Sequence, residues 1–76
     1  MNKQVEAFIS IQLEGKEVIQ LTNQVLDLMS GSVDLVGCGG MVGGTERDFD
    51  IVADTQEELD DFLELLVVRG YNFKNQ

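Results

Sequence analysis

The sequence predicts an α+β fold of the ferredoxin-like, split βαβ kind, with the order β-α-β-β-α-β, four antiparallel strands and two helices on one face. Three observations predict it. Apolar and polar residues alternate over "VEAFISIQL", Val5–Leu13, and again over "RDFDIVA", Arg47–Ala53. Apolar residues recur instead at steps of three and four over "KEVIQLTNQVLDLM" and "DTQEELDDFLELLVVRG". Glycines stand where the period changes, at Gly15, Gly31 and Gly70.

In the first strand, Val5, Ala7, Ile9, Ile11 and Leu13 point to one side and Glu6, Phe8, Ser10 and Gln12 to the other. Gly15 breaks the strand. In the first helix, Val18, Leu21, Val25 and Leu28 form an apolar stripe that Ile19, Leu26 and Met29 widen, and Ser30-Gly31 ends it. A hairpin competes over residues 16–21, because "EVIQL" also has strand propensity and "LEGKE" could turn tightly. The helix accounts for apolar positions out to Met29, the hairpin for the first half alone. "SVDLV" reads as the second strand, with Val33 and Leu35 inward. The third strand puts Phe49, Ile51 and Ala53 inward and Asp48, Asp50 and Val52 outward. Thr55 followed by Glu58 is a capping box for the second helix, whose stripe is Leu59, Phe62, Leu63 and Leu66. Acids fill its first turns, Arg69 its last, and Gly70 stops it. "YNF" is a short last strand.

Seventy-six residues make one domain, 1–76, whose small core buries roughly 60–65% of the surface of the unfolded chain. The single cysteine, Cys38, excludes an internal disulfide, and a reducing, cytoplasmic setting is expected. The first fifteen residues lack the apolar core of a signal peptide, and no apolar run approaches the roughly 20 residues that span a bilayer.

The glycine-rich stretch "VGCGGMVGG", Val36–Gly44, does not fit a phosphate loop. A dinucleotide fingerprint starts at Gly37 and Gly39, but Val42 takes the sixth position and a strand follows. Gly39 and Gly44 have P-loop spacing, yet Thr45 stands where Lys is needed, and no Lys or Arg lies between Lys16 and Arg47. The stretch is expected to be a flexible connection between strands two and three, or a point where another backbone approaches. Cys38 reads as a small packing residue, since no basic group close in sequence activates it.

Charge is the strongest compositional signal: fourteen acids against five bases, net −9. A surface of that sign disfavours direct contact with nucleic acid or an anionic membrane. Nine acids fall in one segment with a single base, Arg47: Glu46, Asp48, Asp50, Asp54, Glu57, Glu58, Asp60, Asp61 and Glu64. Asp48, Asp50 and Asp54 invite an EF-hand comparison that fails at Val52, at Leu59 and at the missing loop glycine. Without His or a Cys pair a structural zinc site is out of reach; no metal or other cofactor is expected. Paired carboxylates can serve acid–base catalysis, but a chain of this size leaves little room for a deep pocket. Taken together, the acids read either as a solvated coat or as a surface for a basic partner. Glu46, Asp48 and Asp50 share one strand face at intervals of about 6.8 Å. Glu57, Asp61 and Glu64 share a helix stripe, with Glu58 and Asp60 beside it.

In size, net charge and the acidic 46–64 segment, the chain resembles the small acidic inhibitors made by bacteriophages, some of them DNA mimics. The resemblance implies a non-enzymatic module that binds a basic, nucleic-acid-binding host protein in the host cytoplasm. The element order, with "SIQLEGKEVIQLTNQVLDL" in front and "EELDDFLELLVVRGYNF" behind, is also similar to small ACT-type regulatory domains. These dimerise and bind amino acids at the first strand-to-helix turn, here Glu14-Gly15-Lys16, although the Asp and Pro-Gly usual there are absent. A homodimer is further expected through the sheet face that no helix covers, where Phe8, Val36, Cys38 and Val52 stand among Ser10, Gln12, Asp48 and Asp50.

Overall fold

The structure, a computed structural model, describes residues 4–29, 31–40 and 44–75. Its elements run β1 (Val5–Gln12), α1 (Val18–Leu28), β2 (Val33–Gly39), β3 (Glu46–Ala53), α2 (Gln56–Val68) and β4 (Phe73–Asn75). The strands form one antiparallel sheet in the order β2-β3-β1-β4. This is the ferredoxin-like arrangement, with β1 and β3 at the centre.

The period-two pattern of β1 meets that of β3 in register. Val5 faces Ala53, Ala7 faces Ile51 and Ile9 faces Phe49. These pairs form one apolar sheet face, which both helices cover. Leu21 and Val25 of α1 and Leu59, Phe62 and Leu66 of α2 join Ile9, Ile11, Val33, Phe49, Ile51 and Ala53 in a single core. Over the contested residues 16–21 the helix starts at Val18, later than the expected Lys16 and after a tight turn at Glu14-Gly15 of the kind the hairpin would use. From there it prevails, because only a helix brings Leu21 and Val25 onto that face together. The expected stripe is buried only in part: Leu28 and Met29 pack against the core, whereas Val18 of the main stripe and Ile19 and Leu26 of its widened edge remain exposed.

Local chemistry closes each connection. Lys16 N–H donates to the Leu13 carbonyl, and the two residues between them, Glu14 and Gly15, both have left-handed φ, 52° and 82°. That is the pattern of a type I′ turn. The α2 N-cap is Thr55, whose hydroxyl accepts the Glu58 N–H at 3.1 Å. At the other end, Arg69 is the C-cap rather than a last-turn residue. Gly70 N–H donates to the Val67 carbonyl and Tyr71 N–H to the Leu66 carbonyl. With Gly70 at φ 85°, this is a Schellman motif.

Three boundaries differ from the expectation. Strand β4 begins at Phe73 rather than Tyr71, because the Tyr71 N–H is already used in closing α2. Its hydroxyl donates to Gln24 Oε1 of α1 at 2.9 Å, and Lys16 Nζ lies 5.2 Å from its ring centroid, so Tyr71 ties the two helices. Helix α1 ends at Leu28 with Met29 as C-cap; the expected stop at Ser30 lies outside the described residues. Strand β2 runs on through Gly39, so the front of the glycine stretch is sheet, not connection. Met41, Val42 and Gly43 lie outside the described residues.

Four expected outcomes follow from the packing and the helix caps. Leu66→Ala, at a fully buried position, lowers unfolding free energy by about 2–5 kcal/mol in chemical denaturation. Val67→Ala, one residue on and 61% exposed, changes it by less than about 0.5 kcal/mol. Thr55→Ala and Gly70→Ala each cost about 1 kcal/mol, through the lost cap and the left-handed φ. Equal effects of the Leu66 and Val67 changes would contradict the assigned helix face.

Candidate functional site

With both helices on one side, the other side of the sheet is left without a covering element among the described residues. The register fixes what it presents. Glu6 and Asp34 flank Val52, Phe8 and Gly37 flank Asp50, and Ser10 and Gly39 flank Asp48; Glu46 stands opposite Gln12. The face thus carries Glu6, Asp34, Glu46, Asp48 and Asp50 around Phe8, which is 49% exposed. Lys74, opposite Ser10, is its one cation among the described residues. Its ammonium reaches across β1 to Glu46 Oε1 at 3.3 Å. This ion pair is largely solvated and contributes little to stability.

Beneath it, Ser10 is buried on a face that is otherwise open, and its hydroxyl donates to Asp48 Oδ1 at 2.5 Å. Asp50 differs. Its Oδ1 is buried without a hydrogen-bond partner. A depression of about 320 Å³ opens beside it, lined by Phe8, Gly37, Gly39, Asp48 and Asp50.

The nine acids of the 46–64 segment do not form one surface. Asp48 and Asp50 alternate with Phe49 and Ile51, which the helices cover, so these acids stand on the uncovered side. Glu57, Asp60, Asp61 and Glu64 are exposed on α2, with Glu58 half-buried and Asp54 exposed before the helix. They lie on the outside of the helix layer, with the core between them and the strand acids. Reversal of direction between β3 and α2 turns one acidic stretch into two patches on opposite sides of the molecule.

The expected apolar face also changes. Phe8 is on it, and Val52 lies there half-buried between Glu6 and Asp34. Val36 is 59% exposed. Cys38 is not on it. A β-bulge between Leu35 and Gly37 inserts Val36, so Gly37 faces Asp50 and Cys38 faces Phe49. One extra residue moves every following side chain to the other face. Cys38 is an exposed free thiol on the helix side of the sheet, and the Arg47 guanidinium donates to its sulfur at 3.2 Å. No sequence signal marked this bulge beyond the glycines themselves.

At the turn expected to hold an amino acid, a depression of about 460 Å³ is lined by Gln12, Leu13, Glu14, Gly15, Lys16 and Thr45, among others. The Asn72 side-chain amide donates to the Glu14 carboxylate. A carboxylate held at this place opposes the carboxylate of a free amino acid. Among the described residues no three His, Cys, Asp or Glu side chains are grouped to hold a metal ion, and no helix is long and apolar enough to cross a membrane.

No family model matches the chain, and no curated protein matches it. Among solved structures it is similar to one described as "De novo designed protein Foldit4", with a TM-score of 0.68 and 15% identity over 97% of this chain and 94% of that one. At that identity the likeness bears on the fold alone, which is the α+β sandwich described above.

Proposed function

We propose that the chain is a non-enzymatic interaction module that binds a basic protein through its uncovered sheet face and, as a DNA mimic, displaces nucleic acid from that protein. The observation that carries this is the composition of the face: Glu6, Asp34, Glu46, Asp48 and Asp50 surround a half-exposed Phe8 on a sheet side that no described element covers. A solubilising coat needs charge only, as on the outside of α2. An aromatic flanked by carboxylates, Glu6 along its own strand and Asp50 across from it, fits an interface in which apolar and charged groups are mixed. Glu46, Asp48 and Asp50 recur at about 6.8 Å along β3, twice the roughly 3.4 Å charge spacing along one strand of duplex DNA. Neighbouring strands add Glu6 and Asp34 to the array. An inhibitor of phage type acting in the host cytoplasm is consistent with the free Cys38, which persists in a reducing compartment.

The same apolar groups suggested a homodimer. A two-fold dimer built on this face sets identical carboxylates against one another, which favours a basic partner over a second copy. An ACT-type module that binds an amino acid beside Glu14-Gly15-Lys16 is the alternative. The depression at that turn supports it, the Glu14 carboxylate weighs against it, and thermal shift against a panel of amino acids tests it.

The separation of the two acidic patches supplies the discriminating experiment. Glu46→Gln, Asp48→Asn and Asp50→Asn together remove as much charge as Glu57→Gln, Asp61→Asn and Glu64→Gln together, but from opposite sides. Calorimetric titration with poly-L-arginine is expected to show marked weakening for the strand set and little change for the helix set. Each single change is worth less than about 1 kcal/mol. Equal weakening by both sets would reduce the acids to a coat. Binding also falls as salt rises, because the Debye length contracts from about 10 Å at 0.1 M to about 3 Å at 1 M. A partner that holds DNA and this protein at once, indifferent to salt, would overturn the mimicry.

A further inference from the structure

Gly37 and Gly39 are strand glycines without the conformational or steric reasons that explain Gly15, Gly40 and Gly70; Gly31, in the turn before β2, also lacks them but belongs to no strand. Gly15 and Gly70 have left-handed φ, and a Cβ on Gly40 would come within 3.1 Å of the Glu46 carbonyl oxygen. Gly37 and Gly39 have φ outside the left-handed region, and a Cβ on either would meet nothing within 4 Å. A strand glycine costs roughly 0.5–1 kcal/mol relative to Ala. A strand glycine marks either a bulge or a close approach. The bulge at Val36 accounts for Gly37 at its border, whereas Gly39, two residues beyond it in regular pairing, fits a close approach from outside.

The outside of β2 is a free sheet edge. Among the described residues its only neighbour in the sheet is β3. The opposite edge, β4, is three residues long and carries Lys74, both common ways of blunting an edge. Strand β2 is seven residues long, with Asp34 as its only charge and no proline. Its bulge at Val36 leaves Gly37 to Gly39 beyond it as regular antiparallel pairs with β3.

On the uncovered face, Gly37 stands between this edge and Asp50, and Gly39 between it and Asp48. The two glycines open two parallel channels from the edge to the carboxylates. A further strand would lie about 10 Å from β3, twice the strand spacing of about 4.8 Å. Extended Lys or Arg side chains on it, reaching over glycine, meet the Asp side chains coming the other way. By register, Asp50 stands at the end of one channel and the Ser10-bound Asp48 at the end of the other. Phe8, which lines the same depression, offers a ring face to a cation.

We infer that β2 accepts an extended segment of the partner protein as a fifth strand, with basic side chains at alternate positions crossing Gly37 and Gly39 to Asp50 and Asp48. Main-chain hydrogen bonds supply affinity and the alternate side chains supply selectivity. This rests on the basic partner proposed above and adds its conformation and its sequence period.

The test uses two blocked heptapeptides of identical composition, one alternating Arg with Thr and one carrying the arginines in a block. Titration calorimetry is expected to give about tenfold tighter binding of the alternating peptide. Hydrogen exchange is expected to slow at β2 amides when that peptide is bound. Gly37→Val with Gly39→Val narrows the channels, and the first added carbon at each position meets nothing within 4 Å; the variant should retain the fold by circular dichroism, bind the block peptide as before and lose the preference. Asp48→Asn with Asp50→Asn keeps the glycines and should also lose it. Equal affinity for the two peptides overturns the added strand while leaving the basic partner standing. Failure of both peptides to bind overturns both. A preference unchanged in either variant overturns the channels, and β2 protection that rises with protein concentration alone assigns the edge to a second copy instead.

Discussion

Ile9 and Phe49 face each other across the β1–β3 pair, both essentially without solvent contact. Their pairing fixes more than two side chains. Because the side-chain period of a strand is two, setting Ile9 against Phe49 also sets Ala7 against Ile51 and Val5 against Ala53. It thereby assigns one sheet face to the helices. The same register drives Phe8, Ser10, Asp48 and Asp50 to the other side together. A slip of one residue would bury Asp48 and Asp50 under α2, where unpaired carboxylates cost several kcal/mol each. Core and candidate interface are thus two sides of one register.

The smallness of the chain explains why the uncovered face exists. Two helices of eleven and thirteen residues suffice to cover one side of a four-stranded sheet, and no described element remains for the other. The burial that stabilises the fold comes from that one side. The second side is then free to carry charge at a density a core could not tolerate. Its few buried polar atoms are treated unequally: Ser10 and Asp48 satisfy each other, whereas Asp50 keeps an oxygen without a partner.

The bulge at Val36 is the other decision on which the surface depends. It extends β2 through the glycines while exchanging the faces of Gly37 and Cys38. Without it, Val36 would stand beside Asp50 and Cys38 beside Asp48 on the open face, and Gly37 would point at the helices. With it, two glycines line the open face and the thiol lies beside Arg47. The loss of side chains in front of Asp48 and Asp50 is thus a product of register rather than of glycine count.

Element type and order were legible in the residues themselves, because periodicity, caps and stops are local. Alternation marks β1 and β3, the Thr55–Glu58 spacing marks the start of α2, and Gly70 marks its end, each through chemistry confined to a few neighbouring positions. The inward residues followed from the same periods. Tertiary structure decided what depends on pairing between distant segments. The extent of β2 came from its ladder with β3, since glycines carry no strand propensity of their own. The face of Cys38 came from a bulge that only the partner strand reveals. The start of β4 came from Tyr71, held back by the Schellman closure and its bond to Gln24. The division of one acidic segment into two opposed patches came from the chain turning back over the sheet between β3 and α2. Sequence alone determined how much charge the protein carries; the fold determined which charges share a surface.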